Sequence, residues 1–213
     1  MEIYREKLTG LYAITDASVS DPQRIIVSVE QALRGGARLI QYRDKSSNQQ
    51  QRLETCVALR KLTQQFDAVF IVNDDAELAQ ESKADGIHLG QNDTPLTEAR
   101  KQLGKNAVIG ISCYNHFDLA EQAIKEGADY IAFGRFFPSR TKPNAEPAEV
   151  SLLQQAKQKL DIPVIAIGGI TAENGRALID AGADMLAVVD GIFGQANIEA
   201  AAKSYQPLFH SSF

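Results

Sequence analysis

The sequence is poor in the residues that build disulfide scaffolds, zinc sites and membrane spans. Among its 213 residues are no tryptophan, two cysteines, two methionines and three histidines. Cys56 and Cys113 form no C-x-x-C pair, so both a zinc motif and a disulfide framework are excluded. No apolar run approaches the roughly 18 residues that a membrane span needs. We therefore expect free thiols in a reducing, cytoplasmic environment.

An excess of positive charge is also missing. The chain has 22 Lys and Arg against 27 Asp and Glu, for a formal net charge of −5. Without a general basic field, nucleic acid is not a predicted partner. The first residues lack the apolar core and the small-residue cleavage site of a signal peptide, and we expect no membrane association. The predicted partners are small molecules, with a homo-oligomer left open.

Short β-branched runs alternate with longer amphipathic stretches along the whole chain. This pattern predicts βα units around a parallel sheet, and the nearly all-apolar strands fit a sheet that is covered on both faces. The predicted strands are Leu11–Thr15, Leu39–Arg43, Val69–Val72, Gly86–Leu89, Ala107–Ile111, Tyr130–Phe133, Val164–Ile167 and Met185–Val189. The predicted helices are Pro22–Arg34, Gln49–Phe66, Ala76–Ser82, Leu96–Leu103, Phe117–Glu126, Pro147–Leu160, Ala172–Asp180 and Phe193–Tyr205.

Eight such units in one chain predict an α/β fold, a single-domain (β/α)₈ TIM barrel over residues 1–213. An open doubly wound sheet is the alternative, but the first turn, Thr15–Ser18, lacks the G-x-G-x-x-G motif. Four predicted strands are entered through similar corners, which indicates a repeated two-unit module. The corners are Gly36-Ala37-Arg38, Lys83-Ala84-Asp85, Gly127-Ala128-Asp129 and Gly182-Ala183-Asp184.

Polar residues follow the second predicted strand, where a barrel carries its functional groups. Alternation along the strand sends Gln41, Arg43 and Lys45 to one side, so an amide and two cations face the barrel mouth. The alternative is a solvated strand end in which Arg43 pairs with Asp44.

Two carboxylates end the third and fourth predicted strands, which are neighbours in a barrel. Asp74 and Asp93 can therefore converge and suit Mg²⁺, a cation that keeps waters and takes phosphate oxygens. The alternatives are helix N-caps, by Asp75 before the next helix and by Asp93 before Thr94-Pro95. His88 fits a general base, although a packed histidine is the more ordinary interpretation.

The later strand ends suit a second anion. The segment Gly134–Pro147 is long and proline-rich, and we interpret it as a mobile lid over the barrel mouth. Gly168-Gly169 follows the seventh strand, where backbone amides approach a phosphate closely. With a diphosphate site and a monophosphate site, the predicted reaction transfers a group from a diphosphate ester to a phosphorylated acceptor.

The whole chain resembles the thiamine-phosphate synthase family. The matching stretches are Leu11–Asp16, Gln41–Lys45, Asn73-Asp74, Gly86–Asp93, Phe137–Lys142 and Ile167–Ile170. The resemblance implies a (β/α)₈ fold and coupling of 4-amino-5-hydroxymethyl-2-methylpyrimidine diphosphate with hydroxyethylthiazole phosphate. The products would be thiamine phosphate and pyrophosphate. The other hypotheses are a thiazole tautomerase-like isomerase, with His88 or His116 as base, and a noncatalytic binder of thiazole or thiamine phosphates.

Carried over by position, the family's functional residues fall into three groups. The Mg²⁺ ligands fall on Asp74 and Asp93. The pyrimidine-diphosphate site falls on Gln41, Arg43, Lys45, Asn73, Ser112 and Lys142, to which we add the strand neighbours Tyr42 and Asp44. The thiazole-phosphate site falls on Ser139, Thr141, Gly169 and the backbone of Val189 and Asp190, to which we add Arg140. The predicted catalytic residues are Arg43, Lys45, Ser112 and Lys142.

Two positions depart from the family pattern. Ser139 stands where threonine is commoner, which keeps the hydroxyl. Asp190 stands where serine is usual, which puts a carboxylate beside the phosphate site. We expect Asp190 to cap the helix that follows and to leave its own amide for the phosphate.

Overall fold

Eight parallel strands close into a barrel in the order of the sequence. A computed structural model describes residue 4 and residues 6–16, 21–45, 48–139 and 146–209. Each strand pairs with the next, and the last pairs with the first. The strands are β1 (Gly10–Ile14), β2 (Leu39–Tyr42), β3 (Val69–Asn73), β4 (Gly86–Leu89), β5 (Val108–Tyr114), β6 (Tyr130–Phe133), β7 (Val164–Ile167) and β8 (Met185–Val188). The predicted fold is confirmed.

Helices cover the outside of the barrel. They are α1 (Pro22–Arg34), α2 (Gln49–Gln65), α3 (Ala76–Glu81), α4 (Leu96–Leu103), α5 (Phe117–Glu126), α6 (Val150–Lys159), α7 (Arg176–Asp180), α8 (Asp190–Phe193), α9 (Ile198–Ser204) and α10 (Gln206–Phe209). Among the described residues, none of these helices has the length and apolarity that crossing a bilayer requires.

The predicted last helix, Phe193–Tyr205, is wrong in its continuity. Gly194 ends α8, and the side chain of Asn197 accepts a hydrogen bond from the Ala200 amide 2.9 Å away, which starts α9. A capping asparagine satisfies an amide that would otherwise have no intrahelical partner. The break follows from the local capping chemistry.

Strand alternation divides the buried side chains into two layers. In β1, Tyr12 and Ile14 face the barrel interior, whereas Leu11 and Ala13 pack against the helices. Both cysteines are free and buried in the outer layer, as expected. Because the strands are apolar on both faces, polar side chains are concentrated at the strand ends.

Three of the repeated corners share one set of hydrogen bonds, which we call the corner clasp. At the start of β4, Asp85 accepts a hydrogen bond from the Phe70 amide at 2.9 Å and pairs with Arg60 of α2 at 2.7 Å. Its own amide donates to the Phe70 carbonyl. The equivalent sets are Asp129 with Ile109 and Arg100, and Asp184 with Val164 and Lys157. The clasp thus ties β4, β6 and β8 each to the odd-numbered strand before it, whereas the corner before β2 has Arg38 in place of the aspartate.

We expect Asp85→Ala to lower the free energy of unfolding by about 2–4 kcal/mol, since it leaves a largely buried guanidinium and a strand amide without their carboxylate partner. Asp85 is 4% exposed, and Arg60 is 19% exposed. The matched variant Asp184→Ala removes a clasp whose Lys157 is 61% exposed and should cost about 1 kcal/mol. Urea denaturation measures both, and equal losses would contradict the burial argument. The KM values of folded protein should not change.

Candidate active site

A cavity of about 610 Å³ opens at the carboxyl ends of the strands. We call it the mouth cavity, and it is lined by residues that follow or end all eight strands. Of the described candidate site residues, the following line it: Gln41, Arg43, Lys45, Asn73, Asp74, Asp93, Ser112, Ser139, Gly169, Val189 and Asp190. Arg140, Thr141 and Lys142 lie outside the described residues, as does the middle of the lid predicted over Gly134–Pro147, residues 140–145.

The end of β2 places alternate side chains on opposite sides, as predicted. Gln41, Arg43 and Lys45 line the mouth cavity. Tyr42 and Asp44 do not line it: Tyr42 packs in the outer layer, and its hydroxyl donates to Asp44 Oδ2 at 2.9 Å. The structure thus does not bring these two side chains to the mouth cavity with the other predicted diphosphate ligands. Their hydrogen bond instead stabilises the end of β2 on the side that faces away from the mouth cavity.

Asp74 and Asp93 come together, as their strand positions predicted. Burial, and next the hydrogen bond and the charge of Asp93, raise the pKa of the Asp74 carboxyl, whereas Lys45 opposes the rise. Lys45 Nζ lies 3.6 Å from Asp74 Oδ2. Asp93 Oδ2 accepts a hydrogen bond from the Gly90 amide at 2.7 Å, which fixes the turn after β4. Two crowded carboxylates are therefore fixed beside a cation.

The helix-cap alternatives divide between the two neighbouring aspartates. Asp75 does cap α3, since its carboxylate accepts from the Leu78 amide at 3.0 Å. Asp93 does not cap α4, whose N-cap is Pro95 with no side-chain bond. Asp93 is thus available to the mouth cavity in a way that Asp75 is not.

The donor set of Asp74 and Asp93 fits a magnesium ion. Mg²⁺ is commonly held by one or two carboxylates, with water and substrate phosphate oxygens completing its coordination. A divalent cation between the two carboxylates would relieve the repulsion from Asp93 that, after burial, helps to raise the pKa of Asp74. Among the described residues, no cluster of three or more His, Cys, Asp or Glu side chains offers an all-protein metal cage. The pair therefore suits a metal that is shared with a substrate phosphate.

A chain of hydrogen bonds crosses the floor of the mouth cavity. Gln41 Nε2 donates to the Tyr12 hydroxyl at 2.7 Å, and that hydroxyl lies 2.9 Å from the Tyr130 hydroxyl. His88 joins Tyr130 at Nδ1, at 3.0 Å, and Ser112 Oγ at Nε2, at 2.9 Å. We call this five-residue chain the floor network. It connects five strands and ends at Ser112.

Two members of the floor network, Tyr12 and Tyr130, were missed by sequence reasoning. Burial raises the pKa of both phenols well above the usual value, so both hydroxyls remain neutral. The available signal was a tyrosine inside an apolar strand, because a buried hydroxyl needs a partner. His88 is held by two partners and stacks on Tyr130, as the packed interpretation expected. His116 instead stands at the N-cap of α5 and does not line the cavity.

On the side of the mouth cavity opposite Asp74 and Asp93, the backbone of the loop after β7 packs closely against the backbone of the loop after β6. Gly169 has φ +62°, and a Cβ there would lie 2.2 Å from the Pro138 carbonyl oxygen. Asn174 holds this turn, since its Nδ2 donates to the Gly169 carbonyl at 3.0 Å. Only glycine fits so close to a neighbouring backbone at positive φ. Ser139 follows Pro138 and lines the same wall.

Two expectations for this region need correction. Asp190 does not cap a helix: it is the first residue of α8, the cap position is Val189, and no side-chain cap bond forms there. Strand β5 does not end at the predicted Ile111 but continues to Tyr114, with a register shift against β6 between Ser112 and Tyr114. Ser112 nevertheless lines the cavity as predicted.

The comparisons with known proteins agree with this geometry. The family model described as "Thiamine monophosphate synthase" matches residues 11–192. A thiamine-phosphate synthase of Marinobacter nauticus is 52% identical over 94% of this chain and 90% of the relative. One from Thioalkalivibrio sulfidiphilus is 50% identical over 96% of this chain and 97% of the relative. A solved thiamine phosphate pyrophosphorylase from Pyrococcus furiosus is 35% identical, covers 96% of both chains and has a TM-score of 0.87.

Proposed function

This chain belongs to the thiamine monophosphate synthase family, and on that basis we propose which residues of the mouth cavity bind each substrate and the metal. The family couples the pyrimidine diphosphate to the thiazole phosphate and releases pyrophosphate. Asp74 and Asp93 would hold Mg²⁺, and Arg43 and Lys45 would bind the diphosphate. The observation that carries this proposal is the convergence of two carboxylates and two cations on one wall of the cavity.

Breaking the bond between the pyrimidine methylene carbon and the diphosphate oxygen leaves negative charge on the diphosphate. When bound, Mg²⁺ would neutralise part of that charge. Arg43 and Lys45 add fixed positive charge at the same wall, which stabilises the leaving group as it forms. The Thr15 hydroxyl accepts from the Arg43 amide at 2.8 Å and so fixes this strand end. Lys142, whose placement is not described, would add a third cation.

The floor network would orient the aminopyrimidine. Gln41 donates a hydrogen bond to the Tyr12 hydroxyl, which leaves the Tyr12 proton to donate to the Tyr130 hydroxyl. Tyr130 can then donate its own proton to His88 Nδ1. In this arrangement His88 would be the Nε2–H tautomer and would donate to Ser112 Oγ. The Ser112 proton is left to donate toward a ring nitrogen of the substrate. The network would thus let Ser112 orient the pyrimidine.

The thiazole phosphate would bind on the opposite wall. Ser139 and the backbone around Gly169, Val189 and Asp190 lie there, with Arg140 and Thr141 in the adjoining segment that is not described. The thiazole nitrogen attacks the methylene carbon with its own lone pair, so the chain need supply no general base. Catalysis is then mainly placement of two substrates plus electrostatic stabilisation.

One incubation tests the proposed function. The chain is mixed with both substrates, with Mg²⁺ or with excess chelator, and thiamine phosphate and pyrophosphate are measured. We expect equal amounts of the two products with Mg²⁺ and loss of both with chelator. Products formed at the same rate under both conditions would overturn the metal assignment. A cytoplasmic location stays a prediction from the sequence, and a homo-oligomer stays open.

Asp190→Ser should lower the KM for thiazole phosphate and leave the KM for the pyrimidine diphosphate unchanged. A carboxylate about 5–6 Å from a phosphate dianion costs on the order of 1–3 kcal/mol at a partly exposed site, which sets the upper limit of the gain. Steady-state kinetics with each substrate varied in turn measures the effect. A raised KM for thiazole phosphate would show that the carboxylate assists binding.

A further inference from the structure

Four described residues other than glycine have a left-handed backbone: Asp67, Lys83, Asp74 and Tyr114, with φ between 49° and 63°. Asp67 and Lys83 follow the C-caps of α2 and α3, where helices commonly end in this conformation. Asp74 and Tyr114 instead stand at the carboxyl ends of strands and line the mouth cavity. Strained backbone of this kind clusters at functional sites, and for Tyr114 the proposed function supplies no role.

Tyr114 is re-aimed by the local geometry of β5. The register against β6 shifts between Ser112 and Tyr114, and such bulges redirect side chains near active sites. The Tyr114 carbonyl accepts from the Gly134 amide at 2.9 Å, which ties the strained residue to the end of β6. The residue stays 38% exposed although it is a large aromatic. A bulky side chain with φ +49° is a conformational outlier, so this position is unfavourable for the fold alone.

The Tyr114 hydroxyl and the Asp93 carboxylate both lie beside Gly90, at the turn after β4. A Cβ placed on Gly90 would stand 3.0 Å from Asp93 Oδ2 and 3.9 Å from the Tyr114 hydroxyl oxygen. Both groups thus lie beside the same residue without a side chain, Gly90, in the turn after β4. Gln91 adds a second tie between this turn and β5, since its Nε2 donates to the Ser112 carbonyl at 2.7 Å. A phenol hydroxyl can donate a hydrogen bond to an anion bound at this turn.

We propose that the Tyr114 hydroxyl donates a hydrogen bond to the diphosphate bound at Asp74 and Asp93, and to the pyrophosphate that the reaction releases. This inference rests on the proposed function, because it needs the diphosphate on that wall. Negative charge on the diphosphate increases as the carbon–oxygen bond breaks. The hydrogen bond from Tyr114 therefore strengthens in the transition state and accelerates the breaking of that carbon–oxygen bond.

The test uses pyrophosphate with Mg²⁺ as the probe, with its dissociation constant measured by calorimetry on the full chain. We expect Tyr114→Phe to raise that constant about tenfold, the usual effect of removing a hydrogen bond to a charged group. The kcat should fall by a similar factor, with the KM for thiazole phosphate unchanged. Tyr114→Gly should weaken pyrophosphate binding at least as much, without lowering the Tm, since glycine adopts this backbone without strain.

Lys83→Gly is the matched control. Lys83 has φ +55° and an exposed side chain, and it lies at the opposite end of the barrel. This variant should relieve the same kind of strain and leave pyrophosphate binding and turnover at the wild-type values. A loss of binding in Lys83→Gly would mean that strain relief, and not the hydroxyl, weakens the site.

The failure of this inference differs from the failure of the proposed function. If pyrophosphate binding to the wild-type chain is independent of Mg²⁺ and unchanged in Asp93→Asn, the proposed metal site is wrong. If binding requires both Mg²⁺ and Asp93, but Tyr114→Phe binds pyrophosphate as tightly as wild type, the role of Tyr114 is overturned. A tenfold loss in Tyr114→Phe with an intact Tm supports it.

Discussion

Asp93→Asn is expected to reduce kcat by at least about 10²-fold at ordinary Mg²⁺ concentrations while the barrel remains folded. Asparagine keeps an oxygen that can accept the Gly90 amide, which Asp93 Oδ2 now accepts at 2.7 Å. The turn after β4 should therefore persist, and the change removes the charge alone. Burial would still raise the pKa of Asp74, but loss of the Asp93 charge removes the repulsion that adds to the rise. When activity is titrated against Mg²⁺, the variant should need a higher Mg²⁺ concentration for half-maximal activity and should reach a lower maximal rate.

A distant aspartate provides the control for this variant. Asp180 ends α7 on the outer surface, and its side chain is 65% exposed. Asp180→Asn makes the same chemical change and should leave kcat and the Mg²⁺ dependence as in wild type. If Asp93→Asn also retained wild-type activity and metal dependence, the assignment of Asp93 as a ligand would be wrong.

Gly169→Ala should raise the KM for thiazole phosphate by about 10-fold or more and leave the pyrimidine-diphosphate site functional. An added Cβ would stand 2.2 Å from the Pro138 carbonyl oxygen and 2.9 Å from Phe137 atoms, so the wall formed by the loop after β6 must move. Displacements of about 1 Å in substrate-positioning groups can cost 10²-fold in rate. Steady-state kinetics with each substrate varied separately resolves the effect.

Gly104→Ala separates crowding from backbone strain. Gly104 has φ +86°, and a Cβ there would meet nothing within 4 Å. Both alanine variants carry the cost of positive φ, but only Gly169→Ala crowds a neighbour. Gly104→Ala should therefore lower stability and leave both KM values unchanged. Equal kinetic effects from the two variants would show that overall destabilisation, rather than the shape of the site, is responsible.

The strands and most of the site could be predicted because each depended on local signals. Apolar runs marked strands that are buried on both faces, and their polar ends marked the barrel mouth. The alternation at β2 separated Gln41, Arg43 and Lys45 from their neighbours, although Tyr42 and Asp44 were then grouped with them as predicted diphosphate ligands. Strict use of the same alternation would have placed those two outside the cavity.

The remainder depended on contacts between distant strands. The floor network joins Tyr12, Tyr130 and His88 across the barrel, and strand alternation alone cannot show which inward hydroxyls meet. The bulge in β5 and the positive φ of Asp74 and Tyr114 arise from pairing with neighbouring strands. No run of residues in the sequence marks either feature. Tertiary context decides such positions, and they lie at the site.

The corner clasps lie at the end of the barrel opposite the mouth cavity. Asp85, Asp129 and Asp184 all act at the amino ends of the strands, whereas Asp74 and Tyr114 carry strained backbone at the carboxyl ends. Sites more than about 7–10 Å apart with no shared partners usually change stability additively. The clasped end can thus supply the reserve of stability that lets the mouth tolerate strained, function-bearing residues. In protein engineering, substitutions at the clasps would set the stability of the barrel and so the amount of folded protein that a cell retains. Substitutions in the mouth cavity could then be tested for new substrates in a barrel whose clasps have first been stabilised.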